Sequence, residues 1–479
     1  LLFNSYVFLF AFLPIVWIVF RALSGFELAR VAMGFLSVGS LVFYAYWNPP
    51  FVALLVASVV FNYLWGRWLV RGDDKPRWKL AIGVGVNLAS LAYFKYTGFL
   101  LENVNALTGA GLEIPEIFLP LGISFFTFQQ IAYLVDCHRG VTEQHGFLQY
   151  CLFVTFFPKL FAGPIAHHSE VLPQLVGDNI RRLDARLISW GLALLAIGLF
   201  KKVMIADTLA PWVAEVFDGE GSPQLIAAWI GALSYTFQIY FDFSGYSDMA
   251  MGLGYLFNIE LPVNFDSPYR TTNVVDFWRR WHVTLSRFLR DYLYIPLGGN
   301  RKGSVRRYVN LMATMLLGGL WHGAAWTFVV WGGLHGIFLC VNHGWRKLTE
   351  KLGFETPRVI GWLLTFVGVC VAWVFFRATS FERAWEVVKG MFGANGAEDL
   401  SVVFFATEKN DIVSSLPFDE RYAVLALLFA ICLALPNSWT WAREKMERVP
   451  ALAAAGAALL LVLAVLGMTR ITEFLYFQF

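Results

Sequence analysis

Charge is scarce in this chain. Lysine, arginine, aspartate and glutamate make up 15% of its 479 residues while 58% are hydrophobic, and a mean hydropathy of +0.58 excludes a soluble globular domain. A formal net charge of +3 without any long basic run outside the helix flanks speaks against nucleic acid as a partner. Cysteine is equally sparse: five residues, at positions 137, 151, 340, 370 and 432. An odd number, no Cys-x-x-Cys pair and mostly apolar surroundings exclude a disulfide framework and a thiolate metal site. Histidine never recurs at the His-x-x-x-His spacing of a zinc helix; His167 and His168 are adjacent, and His138 and His145 lie seven apart, so no metal site is expected. No internal repeat and no linker is visible, which removes the paired halves usual in transporters and predicts one domain over residues 1–479.

What is present is apolar sequence in membrane-length pieces. Stretches near 6–23, 30–47, 51–70, 80–100, 118–135, 187–205, 224–241, 359–376, 421–436 and 450–468 are each about long enough to cross a bilayer. The first of them lacks a basic flank and a cleavage site and is expected to stay as a transmembrane helix. The run 309–342 is too long for one crossing and contains Gly318, Gly319 and Gly323, so two helices meeting near His322 are predicted. The expected fold is therefore an all-α polytopic membrane protein of about twelve transmembrane helices. Arg71, Lys75, Arg77 and Lys79 mark one loop as cytoplasmic, whereas the loop from Glu102 to Glu116 has three Glu and no Lys or Arg and belongs outside. Alternation then puts both termini and the acidic stretch Glu398 to Asp411 outside, and Arg279 to Arg307 inside. Residues 156–164, 258–268 and 296–303 are too rich in Pro, Gly or polar residues for uninterrupted helix. Backbone of that kind at membrane depth is buried in protein or lines a cavity.

Ionisable residues inside such a chain are the candidates for chemistry. His322 is the only one between Leu316 and Val330, sits between Trp321 and Trp326, and falls at the glycine-rich break. The bland alternative is a buried neutral imidazole bonded to a neighbouring helix. Residues 274–292 read as an amphipathic interfacial helix: Val274, Trp278, Trp281, Leu285, Phe288, Leu289 and Tyr292 form one stripe, with Arg279, Arg287, Arg290 and Asp291 opposite. His282 lies at the edge of the stripe, which lets its ring point inward. His335, thirteen residues beyond His322, faces elsewhere and reads as structural. Arg279, Arg280, Arg287 and Arg290 are candidates to hold an anionic, phosphorylated cofactor, against the alternative of ordinary positive-inside charge. Asp242, Ser244, Ser247 and Asp248 form a second polar patch, read as an interhelical hydrogen-bond cluster that Gly245 lets approach closely.

Several of these motifs carry a resemblance. Phe241-Asp-Phe-Ser-Gly-Tyr-Ser-Asp248, Asn264-Phe-Asp-Ser-Pro-Tyr269, Asp276-Phe-Trp-Arg-Arg-Trp-His282, Arg290-Asp-Tyr-Leu-Tyr-Ile-Pro-Leu-Gly-Gly-Asn300 and Leu317-Gly-Gly-Leu-Trp-His-Gly323 resemble the membrane-bound O-acyltransferases, in the branch of the bacterial alginate O-acetyltransferases. The likeness extends from Leu2-Phe-Asn-Ser-Tyr-Val-Phe-Leu-Phe10 through Leu119-Pro-Leu-Gly-Ile-Ser-Phe125 and Lys201-Lys-Val-Met-Ile-Ala-Asp207 to the terminal Phe474-Leu-Tyr-Phe-Gln-Phe479, with a motif-rich core over about 118–345. It is weakest over 390–450. A related branch that transfers D-alanine toward teichoic acids shares the Phe-Asp-Phe and Trp-His elements. The resemblance implies that His322 and His282 are the catalytic histidines and that re-entrant and interfacial helices surround a tunnel. It also implies a donor, acetyl-CoA, reached from the cytoplasm and an acceptor on the other side of a bacterial inner membrane. A periplasmic transferase of the serine-hydrolase (SGNH) type is the expected partner, and alginate, another exopolysaccharide or peptidoglycan the polymer acetylated.

Acyl transfer to a hydroxyl needs a base, donors for the oxyanion and exclusion of water. His322 is the expected base, with His282 orienting the acceptor or assisting proton transfer. A flippase and a haem carrier with His322 and His335 as axial ligands are the readings from other classes; the first lacks repeat halves and the second a partner histidine at matching depth.

Overall fold

The computed structural model describes residues 1–26, 28–71, 76–142, 145–398, 420–468 and 472–475. Lys75, most of the stretch from Glu398 to Asp411, and residues 476–479 of the terminal motif lie outside them. Every regular element among the described residues is helical. In chain order these are α1 (Leu13–Gly25), α2 (Ala29–Ala45), α3 (Pro50–Val70), α4 (Arg77–Leu91), α5 (Thr97–Thr108), α6 (Ile123–Arg139), α7 (Phe147–Thr155), α8 (His168–Val171), α9 (Ala185–Phe200) and α10 (Asp207–Phe217). They continue as α11 (Leu225–Leu256), α12 (Val274–Arg280), α13 (Val283–Leu289), α14 (Gly303–His322), α15 (Trp326–Leu352), α16 (Arg358–Arg377), α17 (Phe381–Met391), α18 (Glu420–Ala434), α19 (Ser438–Arg448) and α20 (Pro450–Gly467). Among the described residues, five stretches are long and apolar enough to cross a membrane alone: Phe8–Gly25, Pro50–Val70, Ala185–Phe217, Arg358–Arg377 and Pro450–Gly467. The pair α18 and α19, bent by 67°, makes a sixth if taken as one broken span.

The centre of the molecule is α11, whose residues from Ser234 to Leu256 are all buried. Backbone-to-backbone contact with α9 explains how a helix can be enclosed so tightly. A Cβ on Gly191 would stand 2.7 Å from the Gly252 carbonyl oxygen, and one on Gly198 would stand 2.5 Å from that of Gly245; the reciprocal clashes are 2.5 Å and 2.8 Å. Glycines seven apart on each helix thus form two contact points of an antiparallel pair, the small-residue packing that membrane helices use when no hydrophobic force drives them together.

Polar groups buried along this seam find one another. The π-turn Lys201–Ala206 joins α9 to α10 and carries two lysines toward α11. Lys202 Nζ lies 2.8 Å from Asp242 and 2.8 Å from Asp207, and donates to the Glu473 carbonyl. Lys201 Nζ meets Asp248 at 2.7 Å and donates to Ser438 Oγ at 2.6 Å. The patch expected to be a hydrogen-bond cluster is an ion-paired one, and its cations come from the Lys-Lys-Val motif. The described part of the C-terminal motif is tied in as well: Leu475 N donates to Asp242, and Phe474 packs on the Tyr246 ring.

Two long stretches are broken, one as expected and one not. Residues 309–342 do fold as two helices, with the break at Gly323 to Ala325. Gly318 and Gly319 stay inside α14, where Gly319 lets α15 approach: a Cβ there would stand 2.2 Å from the Phe328 carbonyl oxygen. The amphipathic segment 274–292 is not one helix. It divides at Trp281 and His282 into α12, α13 and the π-turn Arg290–Tyr294, because His282 takes a left-handed backbone conformation at φ 42.

Replacing Lys202 by alanine leaves two carboxylates without their buried cation and is expected to destabilise the protein by about 3–5 kcal/mol, read as a lowered Tm in detergent. Gly245→Leu is expected to be at least as damaging, whereas an exposed substitution on α20 such as Leu459→Ala leaves Tm within a degree or two; equal melting of all three would contradict this packing.

Candidate active site

A left-handed non-glycine residue is strained by about 1–3 kcal/mol and persists only where its surroundings hold it. At His282 the extended segment 258–268 does so. Val283 N donates to the Asn264 carbonyl at 2.9 Å, Asp266 N donates to the Arg280 carbonyl at 2.9 Å, and the Asn264 side chain accepts from Thr284 Oγ1 at 2.9 Å. Thr284 in turn accepts from Ile165 N at 3.0 Å, linking the break to the segment after residue 164. Backbone groups freed by the break are thereby paired, and the His282 side chain turns into the protein, fully buried against Phe243 with ring centroids 4.7 Å apart.

The end of α14 delivers the second histidine. The His322 ring is edge-on to Trp331 at 5.0 Å, to Phe376 at 5.2 Å and to Trp321 at 4.9 Å, and its centroid is 6.3 Å from that of His282. Two imidazoles forty residues apart in sequence share one aromatic chamber. A helix that stops inside a protein leaves its last carbonyls without intrahelical donors, and here the π-turn Ala92–Tyr96 supplies them. Lys95 Nζ donates to the carbonyls of Trp321 at 2.7 Å and His322 at 2.9 Å, and Tyr96 Oη donates to that of Leu320 at 2.9 Å. A lysine is well suited to that position, since a cation at a helix C-terminus also meets the negative end of the dipole. Sequence reading passed over Lys95, although it is the only Lys, Arg, His, Asp or Glu between Lys79 and Glu102, much the same signal that singled out His322.

Beside His322 is a cavity of about 80 Å³ lined by Trp47, Lys95, Leu119 to Phe125, Phe161 and Trp321. One wall is closely packed: a Cβ on Gly122, which has φ +74, would stand 2.6 Å from the Leu160 carbonyl oxygen.

The four candidate anion-binding arginines are dispersed. Arg279 pairs with Asp276 at 3.1 Å, Arg280 with Asp266 at 3.6 Å and Arg290 with Asp291 at 2.7 Å, all three guanidinium groups exposed. Arg287 is half-buried, grips Glu170 through two bonds of 2.6 and 2.8 Å, and lines a cavity together with His167, Thr284, Asp291 and Tyr292. Exposed pairs of this kind are worth at most about 1 kcal/mol, so a polyanion can compete for the three exposed arginines. His335 is placed apart from this exchange: Trp278 Nε1, which can only donate, points at His335 Nδ1 at 3.2 Å. That fixes the tautomer with the proton on Nε2 and makes His335 a packing residue among Trp278, Trp331 and Phe277.

Two histidines at two helix breaks share a buried, aromatic-lined chamber inside a protein whose described elements are all helical and include membrane-length spans. The family that places it is the membrane-bound O-acyltransferases, MBOAT, whose pattern matches residues 121–384; the chain belongs to this family and is an acyltransferase. It is 42% identical to the peptidoglycan O-acetyltransferase of Helicobacter pylori over its whole length and 98% of that relative's. It is 38% identical to the probable alginate O-acetylase AlgI of Azotobacter vinelandii over the full length of both. A teichoic acid D-alanyltransferase of Streptococcus thermophilus is more distant, 26% identical over 53% of this chain and 68% of its own.

Lys95→Met keeps the stem and removes the donor. Because a misplacement of about 1 Å can cost up to about 100-fold in rate, the expected result is a 10- to 100-fold fall in kcat with KM little changed and a normal elution profile in detergent. Unchanged kcat would show that the end of α14 holds its position without the lysine.

Proposed function

We propose that this protein passes acetyl groups from cytoplasmic acetyl-CoA across a bacterial inner membrane for O-acetylation of an extracellular polysaccharide such as alginate. The observation that carries the reading is the His282 and His322 pair, 6.3 Å between ring centroids, enclosed by aromatic rings in the part of the chain that matches the acyltransferase family. In this reading His322 removes the proton from the acceptor hydroxyl as its oxygen attacks the acetyl carbonyl, and returns it to the departing CoA thiolate. His282 orients the acceptor or assists that transfer. Enclosure by Trp321, Trp331, Phe243 and Phe376 excludes the water that would hydrolyse the thioester.

About twelve crossings in a single domain surround a tunnel with both termini on the periplasmic side. The positive-inside rule supports the orientation. With Arg71 inside and Glu102 to Glu116 outside, the cavity bounded by Trp47, Leu119 and His322 faces the outer side and the cavity bounded by Arg287 and Tyr292 faces the cytoplasm. Donor and acceptor then reach the histidines from opposite faces. Arg287, with Arg279, Arg280 and Arg290 around it, meets the phosphates of acetyl-CoA. A periplasmic SGNH-type transferase takes the acetyl group on the outer face and delivers it to the polymer. Peptidoglycan is the second reading for the polymer, favoured by the full-length likeness to the Helicobacter pylori enzyme; D-alanyl transfer to teichoic acid has only the more distant relative behind it.

Purified protein in liposomes, given acetyl-CoA inside and a hydroxyl acceptor outside, is expected to transfer acetyl. His322→Ala is expected to lower that rate by about 100- to 10,000-fold, with a smaller loss for His282→Ala. Near-normal transfer by a folded His322→Ala variant would refute the base assignment. Deletion of the gene alone identifies the polymer, as the envelope component that loses base-labile acetate.

A further inference from the structure

Away from the paired histidines, four oxygen and nitrogen donors from three separate segments converge. Asp136 belongs to the last turn of α6, His167 and His168 precede and open α8, and Tyr292 lies in the π-turn Arg290–Tyr294. One ligand atom from each of Asp136, His167 and His168 lies within 4.8 Å of the others. His167 Nε2 is 3.0 Å and His168 Nδ1 3.7 Å from the same oxygen, Asp136 Oδ2. Tyr292 Oη donates to that oxygen at 2.6 Å and also contacts His167 Nε2.

A hydrogen-bond network accounts for His167 and Tyr292 and leaves His168 unexplained. Its side chain is 2% exposed, yet Nδ1 points into the cluster without a hydrogen bond. Its other nitrogen, Nε2, is held by Thr142 Oγ1 at 2.8 Å. Likewise His167 Nδ1 is held by Ser169 Oγ at 2.7 Å. Where the hydroxyls accept, both rings are fixed in the tautomer whose lone pair faces Asp136, which is the outer-shell arrangement of metal-binding histidines. Asp136 Oδ1 lies 3.5 Å from Arg139, leaving Oδ2 as the inward donor.

From this geometry we infer a divalent transition-metal site, of the zinc class, formed by Asp136 Oδ2, His167 Nε2 and His168 Nδ1, with a water in fourth place and the Tyr292 hydroxyl as a hydrogen-bond donor to Asp136. Metal–ligand bonds of about 2.0–2.2 Å in a tetrahedron put ligand atoms roughly 3.3–3.6 Å apart, bracketed by the 3.0 and 3.7 Å from Asp136 Oδ2 to the two imidazole nitrogens. Two imidazoles and one carboxylate suit zinc over calcium or magnesium, which take oxygen. The absence of a His-x-x-x-His spacing concealed the site, because its carboxylate lies thirty-one residues before the first histidine. The metal staples the end of α6 to the segment that opens α8, and through the Tyr292 hydrogen bond to Asp136 it helps shape the cavity that His167, Arg287 and Tyr292 share. This assignment does not depend on the acyl-transfer reading.

The test uses full-length protein in detergent, stripped with a chelator and titrated with Zn²⁺ by calorimetry and with Co²⁺ as a spectroscopic probe. A single equivalent of Zn²⁺, a tetrahedral Co²⁺ ligand-field band and a rise in Tm on metal addition are expected of the wild type and of His322→Ala. His168→Gln is expected to lose all three. Should that variant fail to fold, His167→Gln, whose ring is partly exposed, serves in its place. No saturable uptake by the stripped wild type, or undiminished uptake after substitution of either histidine, overturns the site.

Discussion

Every backbone N–H and C=O that a broken helix releases inside an apolar protein has to be paired there, because no water is present to do it. Leaving one unpaired costs about 1–3 kcal/mol, so a break is possible only where another segment arrives with the right donors and acceptors. Both histidines of the centre sit on such breaks. His322 closes α14, and the π-turn with Lys95 and Tyr96 takes its three last carbonyls. His282 divides α12 from α13, and the extended segment through Asn264 and Asp266 takes what that division frees. The 6.3 Å between the two rings is the product of these two repairs.

The scaffold and the centre share α11. Its glycines set the distance to α9, its aspartates anchor the two lysines, and Phe243 on the same helix packs against His282. Residues that hold the fold together, Asp242 and Gly245, are therefore within one helical turn of Phe243, the residue that packs on His282. Aromatic rings do the rest of the enclosing: Trp331 packs on both His322 and His335, so the packing histidine and the central one lean on a single indole.

Much of this was legible beforehand. Apolar runs such as 51–70, 359–376 and 450–468 announced their helices to within a few residues. Those at 187–205 and 224–241 stopped well short of the helical stretches Ala185–Phe217 and Leu225–Leu256, which continue past a π-turn and through the polar patch. A lone ionisable residue among Trp and Gly singled out His322. Less legible were consequences of partners distant in sequence. Nothing in the amphipathic spacing of residues 274–292 announces a left-handed His282, since the stripe is compatible with one straight helix. The reason for the break is an extended segment ending at Pro268, which local periodicity does not contain. Lys95 carried much the same signal as His322 but sits in an apolar run without a motif around it, and the Asp136 cluster gathers residues whose spacing along any one helix is uninformative.

What the chain determined by itself is its solvent and its inventory: with 58% hydrophobic residues and 15% charged, it must lie in a bilayer as helices that satisfy their own backbone, and the few polar residues left must matter to the interior. Tertiary structure alone decided which of them meet. Distance between side chains on different helices depends on how closely backbones approach and where helices end. Those are set by contacts such as Gly198 on Gly245 and Lys95 on His322, between residues 47 and 227 positions apart.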